Sequence, residues 1–308
     1  MRLARRSELV AIASRDRGRA EAYAREWSIP RAAAGYQTLL DDPGIDAVYI
    51  PLPNTEHVPW TLAAIAAGKH VLCEKPLALD VEDVDRIAVA ANAARVVVEE
   101  GFMYRHEPLT ARVMSLVNDG AIGAVRAVVS GFTFALDTPH NIRFDPALGG
   151  GALWDVGSYP VTYAQLIMGH EPKMVFGSAH WHASGVDEEF MGMLRFDEGA
   201  TANIFAGFRT PYRTWLEVLG SEGGLTVPNP FRPGPIETLD LERRGAIEHI
   251  EVAGSPEIFV REIEDFEAAV LDGAPPVVSL AESRRTAATL SALHAAAREA
   301  GRGSMYTE

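Results

Sequence analysis

Short, almost uninterrupted apolar runs alternate with amphipathic stretches through the first third of the chain. Glu8 to Ala13 reads as a buried strand, and Arg17 to Trp27 follows as a helix with Ser14 or Asp16 placed to cap it. Asp46 to Ile50, Lys69 to Cys73 and Arg95 to Glu99 read as three further strands. Between them, His57 to Ala67 (ending at Gly68) and Val81 to Ala94 carry helical spacing, and Pro51-Leu52-Pro53-Asn54 forms a loop. Continuously apolar strands alternating with helices of about 10–15 residues predict a parallel sheet covered on both faces.

The pattern changes near residue 120. Ala124 to Ala135 is rich in β-formers, and Gly149-Gly150-Gly151 precedes a helix over about Leu153 to Met168. Further strands are predicted at Met174 to Ala183, Phe190 to Phe196, Ala202 to Phe208 and Trp215 to Leu219, with turns such as Asp197-Glu198-Gly199 between them. Several alternate polar with apolar residues, which predicts an antiparallel sheet with one open face. Helices over about Ile258 to Leu271 and Leu280 to Ala300 close the chain. The fold class expected is α/β: a doubly wound parallel sheet in residues 1–120, then an α+β unit in 121–308. In Phe190 to Phe196, alternation puts Phe190, Leu194 and Phe196 on one face and Met191 and Met193 on the other. Both faces are apolar, so the pattern does not say which one the helices cover. A large uncovered apolar face marks an interface, so a homodimer or higher homo-oligomer joined through that face is expected.

Composition narrows the class. The chain has 308 residues, 47% hydrophobic and 23% charged, with mean hydropathy near zero. These values exclude a disordered chain, and no run reaches the roughly 18 apolar residues of a membrane span. Met1 to Arg6 is basic, but no apolar signal core follows. A net charge of −14 argues against nucleic acid as a partner. Cys73 is the only cysteine, which excludes an intrachain disulfide and a multi-cysteine metal site. An acidic cytoplasmic protein acting on a small molecule, with no nucleic-acid or membrane partner, is expected.

Two segments carry candidate chemistry. An apolar strand runs straight into Glu74-Lys75-Pro76, and ligands of open α/β sheets bind beyond the carboxyl ends of strands. A bare Glu-Lys-Pro equally suits a surface ion pair before a turn. The triple glycine permits close backbone approach, and Asp155 and Tyr159, four apart, share one helical face. Tyr159 alone equally suits a core tyrosine with a satisfied hydroxyl. His180 and His182 lie on one side of a strand without a third ligand at metal spacing, so no metal is expected. No G-x-S-x-G elbow occurs.

These segments belong to a longer series: Pro53-Asn54-x-x-His57, Ala66-x-Gly68 through Pro76, Phe102-Met103-Tyr104-Arg105, Gly120-x-Ile122-Gly123, Gly149-Gly150-Gly151-x-Leu153-x-Asp155-x-Gly157, Asp187-Glu188 and Phe196 to Gly199. In this order, over nearly the whole chain, they resemble the Gfo/Idh/MocA family of nicotinamide-dependent oxidoreductases. Many members carry histidine four residues after the motif aspartate. Tyr159 there, with Asn141-Ile142-Arg143, resembles the branch of glucose–fructose oxidoreductase, the dimeric dihydrodiol dehydrogenases and the aldose dehydrogenases.

The resemblance implies a Rossmann-type nucleotide-binding domain in 1–120 and a substrate-binding, oligomerising domain in 121–308, with the last helix placed to pack back on the first. It implies hydride transfer between nicotinamide and a sugar or cyclic diol, with Tyr159 as proton donor or acceptor, Lys75 beside it and Asp155 orienting substrate or Lys75. An ordinary tyrosine lies about three pKa units too high for a base at neutral pH, about 4 kcal/mol. A cation about 4 Å away at a dielectric near 20 supplies roughly that amount, and Lys75 is the expected source. Ser14, Arg15, Leu52, Pro53, Asn54, His57, Glu74, Lys75 and Arg105 are the implied cofactor residues, and Arg143, Trp154 and Asp155 the implied substrate residues. Without the resemblance, His57 reads as a helix-surface histidine. The family's G-x-G-x-x-G turn does not precede Leu9 to Ala13. The first strand is therefore expected to be missing, with roughly 20–25 residues of a βαβ unit absent. Ser14-Arg15 falls where an acidic residue would favour NAD and an arginine a 2′-phosphate, so NADP is expected, with NAD the alternative. A non-catalytic sugar-binding or scaffold paralogue and an NAD-dependent glycoside hydrolase remain open.

Overall fold

A computed structural model describes residues 4–138, 140–255 and 257–302, so Met1 to Leu3 of the basic start lie outside the described residues. The parallel half runs β1 (Ala11–Ser14), α1 (Arg17–Glu26), β2 (Arg31–Ala34), α2 (Gln37–Leu40), β3 (Ala47–Ile50), α3 (Asn54–Ala66), β4 (His70–Glu74), α4 (Val81–Ala94) and β5 (Val98–Gly101). Two of its helix starts, those of α1 and α4, are fixed by side-chain caps. Asp16 accepts the Arg19 N–H at 2.7 Å to cap α1, and Asp80 accepts the Asp83 N–H at 2.9 Å to cap α4. Arg95 is the left-handed residue that ends α4, at φ 56°. The strand predicted from Arg95 therefore begins only at Val98. β2 was not expected, because Arg31-Ala32-Ala33-Ala34 contains no β-branched or aromatic residue.

The parallel strands form two pieces. β1 pairs with β2, and β3–β4–β5 form a separate three-stranded sheet. β1 does not pair with β3.

α5 (Pro108–Asn118) leads into the second half: β6 (Val125–Thr133), α6 (Ser158–Met168), β7 (Met174–Trp181), β8 (Asp187–Arg195), β9 (Thr201–Gly207), β10 (Arg213–Gly220), β11 (Gly223–Val227), β12 (Ile236–Arg243), β13 (Ala246–Ala253), α7 (Ile258–Asp272) and α8 (Leu280–Arg302). The eight strands order as β13-β12-β11-β10-β6-β9-β8-β7, antiparallel except for β6 beside β9. The helices α6 and α8 cover the Phe190 face. Phe190, Leu194 and Phe196 join Val161, Ala164, Leu290 and Leu293 in one core, while Met191 and Met193 are 62% and 38% exposed opposite. Met174 and Phe176 share that open side. α8 also reaches the parallel half: Arg284 pairs with Asp85 of α4 at 2.8 Å, and Ser291 Oγ donates to the Leu79 carbonyl at 2.9 Å. Among the described residues no helix is long and apolar enough to cross a membrane.

Trp215 on the open side lies flat across β6, beneath Arg213, whose guanidinium carbon is 5.1 Å from the ring centroid. The indole can lie there only because residue 131 is glycine. A Cβ at Gly131 would stand 2.2 Å from the Trp215 ring and 2.9 Å from the Phe205 carbonyl oxygen. Gly131→Ala is expected to lift the indole and lower stability by about 1–3 kcal/mol, the usual cost of overpacking. The checks are the urea midpoint and a red shift in tryptophan emission; an unchanged midpoint would show that the ring is not seated there.

Candidate active site

A cavity of about 570 Å³ opens at the carboxyl ends of β3 and β4 and is closed by the second half. From the turn after β3 come Pro51, Leu52 and Pro53, with Asn54 from the start of α3; from the end of β4, Glu74 and the following Lys75; from the triple glycine and the π-turn and α6 after it, Gly149, Gly150, Gly151, Asp155 and Tyr159. Placement beyond parallel strand ends is what the topology dictates. The segment carrying Asp155 is a single π-turn, Leu153–Gly157, running directly into α6. Such one-turn insertions recur at functional sites.

Lys75 and Asp155 form the centre. The Lys75 ammonium donates to Asp155 Oδ1 at 2.8 Å and to the Asp155 carbonyl oxygen at 2.7 Å. Arg143 Nε donates to Asp155 Oδ2 at 2.5 Å, and its guanidinium lies over Phe134. Burial pushes the Asp155 carboxyl up, but Lys75 and Arg143 together outweigh it and hold it below the usual carboxylate range. An ammonium has three donors, and Asp155 takes two.

Tyr159 is buried among Phe102, Tyr104, Phe132 and Phe231. Its hydroxyl donates to Met103 Sδ at 3.5 Å, and Lys75 Nζ stands 5.0 Å from the ring centroid, over its face. The expectation that Lys75 lowers this phenol is not met in this geometry. The ammonium is committed to Asp155, and burial, with Glu74 and Asp155 adding to it, raises the Tyr159 phenol well above its ordinary value.

The Lys75 end is braced from three sides. His57 is buried with Nδ1 2.8 Å from the Pro76 carbonyl oxygen and Nε2 2.7 Å from that of Leu52. It is a strut between two loops rather than a surface histidine. Burial pushes it below the ordinary histidine range, against the pull of the two carbonyls. Tyr49 donates to Glu74 Oε1 at 2.5 Å, and Glu100, whose carboxyl burial pushes up, accepts the Leu77 N–H at 2.8 Å. Asn54 Nδ2 donates to the Gly149 carbonyl oxygen at 2.8 Å, tying the β3 loop to the triple glycine.

Not every implied residue reaches the cavity. Arg105 is turned away and pairs with Glu282 of α8 at 2.9 Å. Trp154 points towards α8, 6.0 Å from the His294 ring, because the π-turn directs it away from Asp155. Ser14 and Arg15 end β1 outside the cavity, with Ser14 Oγ accepting the Asp16 N–H at 3.2 Å. His180 pairs with Glu188 and His182 with Ser184. Phe132, Phe134, Tyr212, Arg232 and Phe259 line the cavity without having been foreseen. They come from four segments, Phe132 and Phe134 sharing one, and none lies in a local motif.

A family model described as the oxidoreductase family, NAD-binding Rossmann fold, matches residues 1–102, and the GFO/IDH/MocA C-terminal domain matches residues 110–226. The chain is 39% identical to a D-xylose 1-dehydrogenase (NADP(+)) of Haloferax volcanii, over 94% of this chain and 90% of that protein. It is 33% identical to a dTDP-3,4-didehydro-2,6-dideoxy-alpha-D-glucose 3-reductase of Actinomadura kijaniata, over 95% and 89%. Among solved structures, the 3-ketoreductase KijD10 from Actinomadura kijaniata with NADP and TDP-benzene superposes with a TM-score of 0.88, at 31% identity over 94% and 89% of the chains. An aldose-aldose oxidoreductase from Caulobacter crescentus with glycerol also gives 0.88, at 28% identity over 96% and 91%.

Removing Lys75 strands a buried carboxylate. Lys75→Met is expected to cost about 3 kcal/mol at neutral pH, the low end for a broken buried pair because Arg143 remains. Adding Asp155→Asn should recover part of that loss. Because the folded Asp155 carboxyl is depressed, its contribution is present above the unfolded value of about 4 and fades as pH falls through the folded one. Urea unfolding of the single and double variants checks this; strictly additive losses would show that the pair is uncoupled.

Proposed function

The chain belongs to the Gfo/Idh/MocA family of oxidoreductases, and on that premise we propose that it is an NADP-linked dehydrogenase or reductase acting at a carbinol carbon of a sugar or cyclic diol. The observation that carries this reading is the meeting of Lys75, Asp155 and Tyr159 on one cavity at the carboxyl ends of parallel strands. Aromatic walls from Phe132, Phe134, Tyr212 and Phe259 suit the apolar faces of a ring, and Arg143 and Arg232 suit its hydroxyls.

The residues present fit the nicotinamide end of the cofactor. Leu52, Pro53, Asn54 and Lys75 would hold it at the β3 and β4 ends. Arg15 has no carboxylate partner among the described residues, and Asp16 is occupied as the α1 cap. A 2′-phosphate therefore suits the end of β1 better than a bare ribose, in keeping with the NADP named for the Haloferax volcanii and Actinomadura kijaniata enzymes. When bound, the cofactor supplies or accepts the hydride.

The protein's own part is the proton. The hydroxyl of Tyr159 rests on a thioether, a weak acceptor that a substrate oxygen can replace at little cost. Burial keeps the phenol protonated, so in the reductive direction Tyr159 gives its proton to the substrate oxygen; in the oxidative direction the phenol must first lose its proton to solvent, and the tyrosinate then takes the proton of the substrate hydroxyl. The third ammonium N–H of Lys75 steadies charge on that oxygen, and Asp155 holds the ammonium in place.

The proposal extends to assembly. Two or more copies pair through the open sheet face, supported by the exposed Met174, Phe176, Met191 and Met193.

Two measurements test these readings. Reduction of NADP+ with D-xylose and with a cyclic trans-diol is expected, and Tyr159→Phe should lower turnover by about 10²–10⁴ while leaving cofactor affinity nearly unchanged. Release of free sugar from an aryl glycoside without net reduction would instead make the protein a glycoside hydrolase, and sugar binding without turnover a non-catalytic paralogue. For assembly, light scattering at micromolar concentration should give at least a dimer mass, reduced by Met191→Asp; a monomer mass for the unaltered chain overturns the pairing.

A further inference from the structure

The segment that carries Asp155 begins on a buried carboxylate from the neighbouring sheet. Asp187, the first residue of β8, is 1% exposed, and its Oδ2 accepts the Leu153 N–H at 2.6 Å. Leu153 opens the π-turn, where backbone N–H groups have no carbonyl partner within the helix. A negative charge there is also favoured by the aligned peptide dipoles. The other oxygen, Oδ1, has no hydrogen-bond partner among the described residues. It lies where a Cβ on Gly151 would come within 2.4 Å, and Gly151 has φ 128°, so only glycine fits against it. Asp187 thus holds the start of the turn and packs against the last glycine of the cavity wall. Asp155 follows two residues after Leu153, and its own N–H donates back to the Gly151 carbonyl oxygen at 3.1 Å.

We propose that Asp187 is a positioning residue for proton transfer: its carboxylate sets where the π-turn and α6 begin, and so where Asp155 and Tyr159 stand relative to Lys75. This rests on reading Tyr159 as the proton-transfer group. Asp187 touches neither cavity nor substrate, and it acts only through the backbone it grips.

The carboxyl is suited to weaken its own grip. Burial pushes it up to about 7, against the backbone N–H groups and Arg298, which pull it down. Among the charged and titratable groups on the surrounding elements are Arg298 and His294 of α8, His180 of β7 and His182 after it, Glu188 and Glu189 of β8 and Asp155 on the π-turn. Glu188 is held by His180 and Arg209, and Asp155 by Lys75 and Arg143. A carboxyl raised in the folded state contributes stability fully below its unfolded value of about 4 and loses it as pH rises through about 7. The ionised Asp187 is therefore held at a cost to the fold, as expected of a group kept for placement.

The test uses the whole chain labelled with ¹⁵N-leucine and ¹³Cζ-tyrosine, without cofactor or substrate. The Leu153 amide and the Tyr159 ring carbon, the latter assigned by its loss in Tyr159→Phe, are expected to shift together with a midpoint near pH 7. Both should stay flat in Asp187→Asn, which keeps the shape and one acceptor but cannot ionise. That variant should also melt no lower than the unaltered protein at pH 8, because the buried charge is gone. A Leu153 titration without one at Tyr159, or no titration at either, overturns the proposal. So does a lower melting temperature with an unmoved Tyr159 signal, which would make Asp187 a stabilising cap and nothing more. No arm reads turnover, so failure here is separate from failure to oxidise a sugar.

Discussion

The contact between Lys75 and Asp155 joins residues 80 positions apart, one at the end of a parallel strand and one on the π-turn of the second half. Their side chains are only 10% and 16% exposed. Two ions taken that far out of water are a liability unless their remaining donors and acceptors are also met. Here all but one are: the carbonyl of Asp155 takes a second ammonium N–H and Arg143 takes the second carboxylate oxygen, leaving the third ammonium N–H of Lys75 without a partner among the described residues. The pair thereby aligns the two halves. Other contacts steady one end or the other. His57 spans the Leu52 and Pro76 carbonyls, Glu100 holds Leu77, and Asn54 holds Gly149.

The readable parts of the chain were those where local chemistry and burial agree. Val48, Val71 and Leu72 lie in apolar runs, and Val81–Ala94 has an aspartate cap, so β3, β4 and α4 stood out. Where burial is set by distant packing, the pattern failed. β13 is an edge strand and β12 lies beside it, both rich in glutamate, and β2 is mostly alanine. Their pairing comes from neighbours rather than from propensity. Glu99 and Glu100 are fully buried in β5, where periodicity would place only apolar residues. Their carboxyls serve the Val278 and Leu77 N–H groups, a role visible only in three dimensions.

The site divides in the same way. Lys75, Asp155 and Arg143 converge, and these stand in motifs whose backbone frames carry them to one place. Trp154 and Arg105 stand in equally good motifs but point elsewhere, because spacing along a chain does not give side-chain direction through a π-turn or a 3₁₀ turn. Tyr159 was legible as a proton donor or acceptor through the family resemblance, but its raised phenol was not. Its protonation follows from the rings of Phe102, Tyr104, Phe132 and Phe231, which arrive from three other segments.

The seat of Trp215 on Gly131 has a consequence for strand alignment. β6 lies in the middle of the eight-stranded sheet, and both its partners, β9 and β10, are distant in sequence, so no hairpin turn measures its alignment. Side chains alternate between faces, and a slip by one residue would exchange every one of them. Such a slip would bring Phe132 under the indole, where not even a Cβ fits, and would remove that ring from the cavity wall. The glycine and the tryptophan therefore act as a vernier for the whole sheet. An absence of side chain on one face keeps an aromatic wall in position on the other.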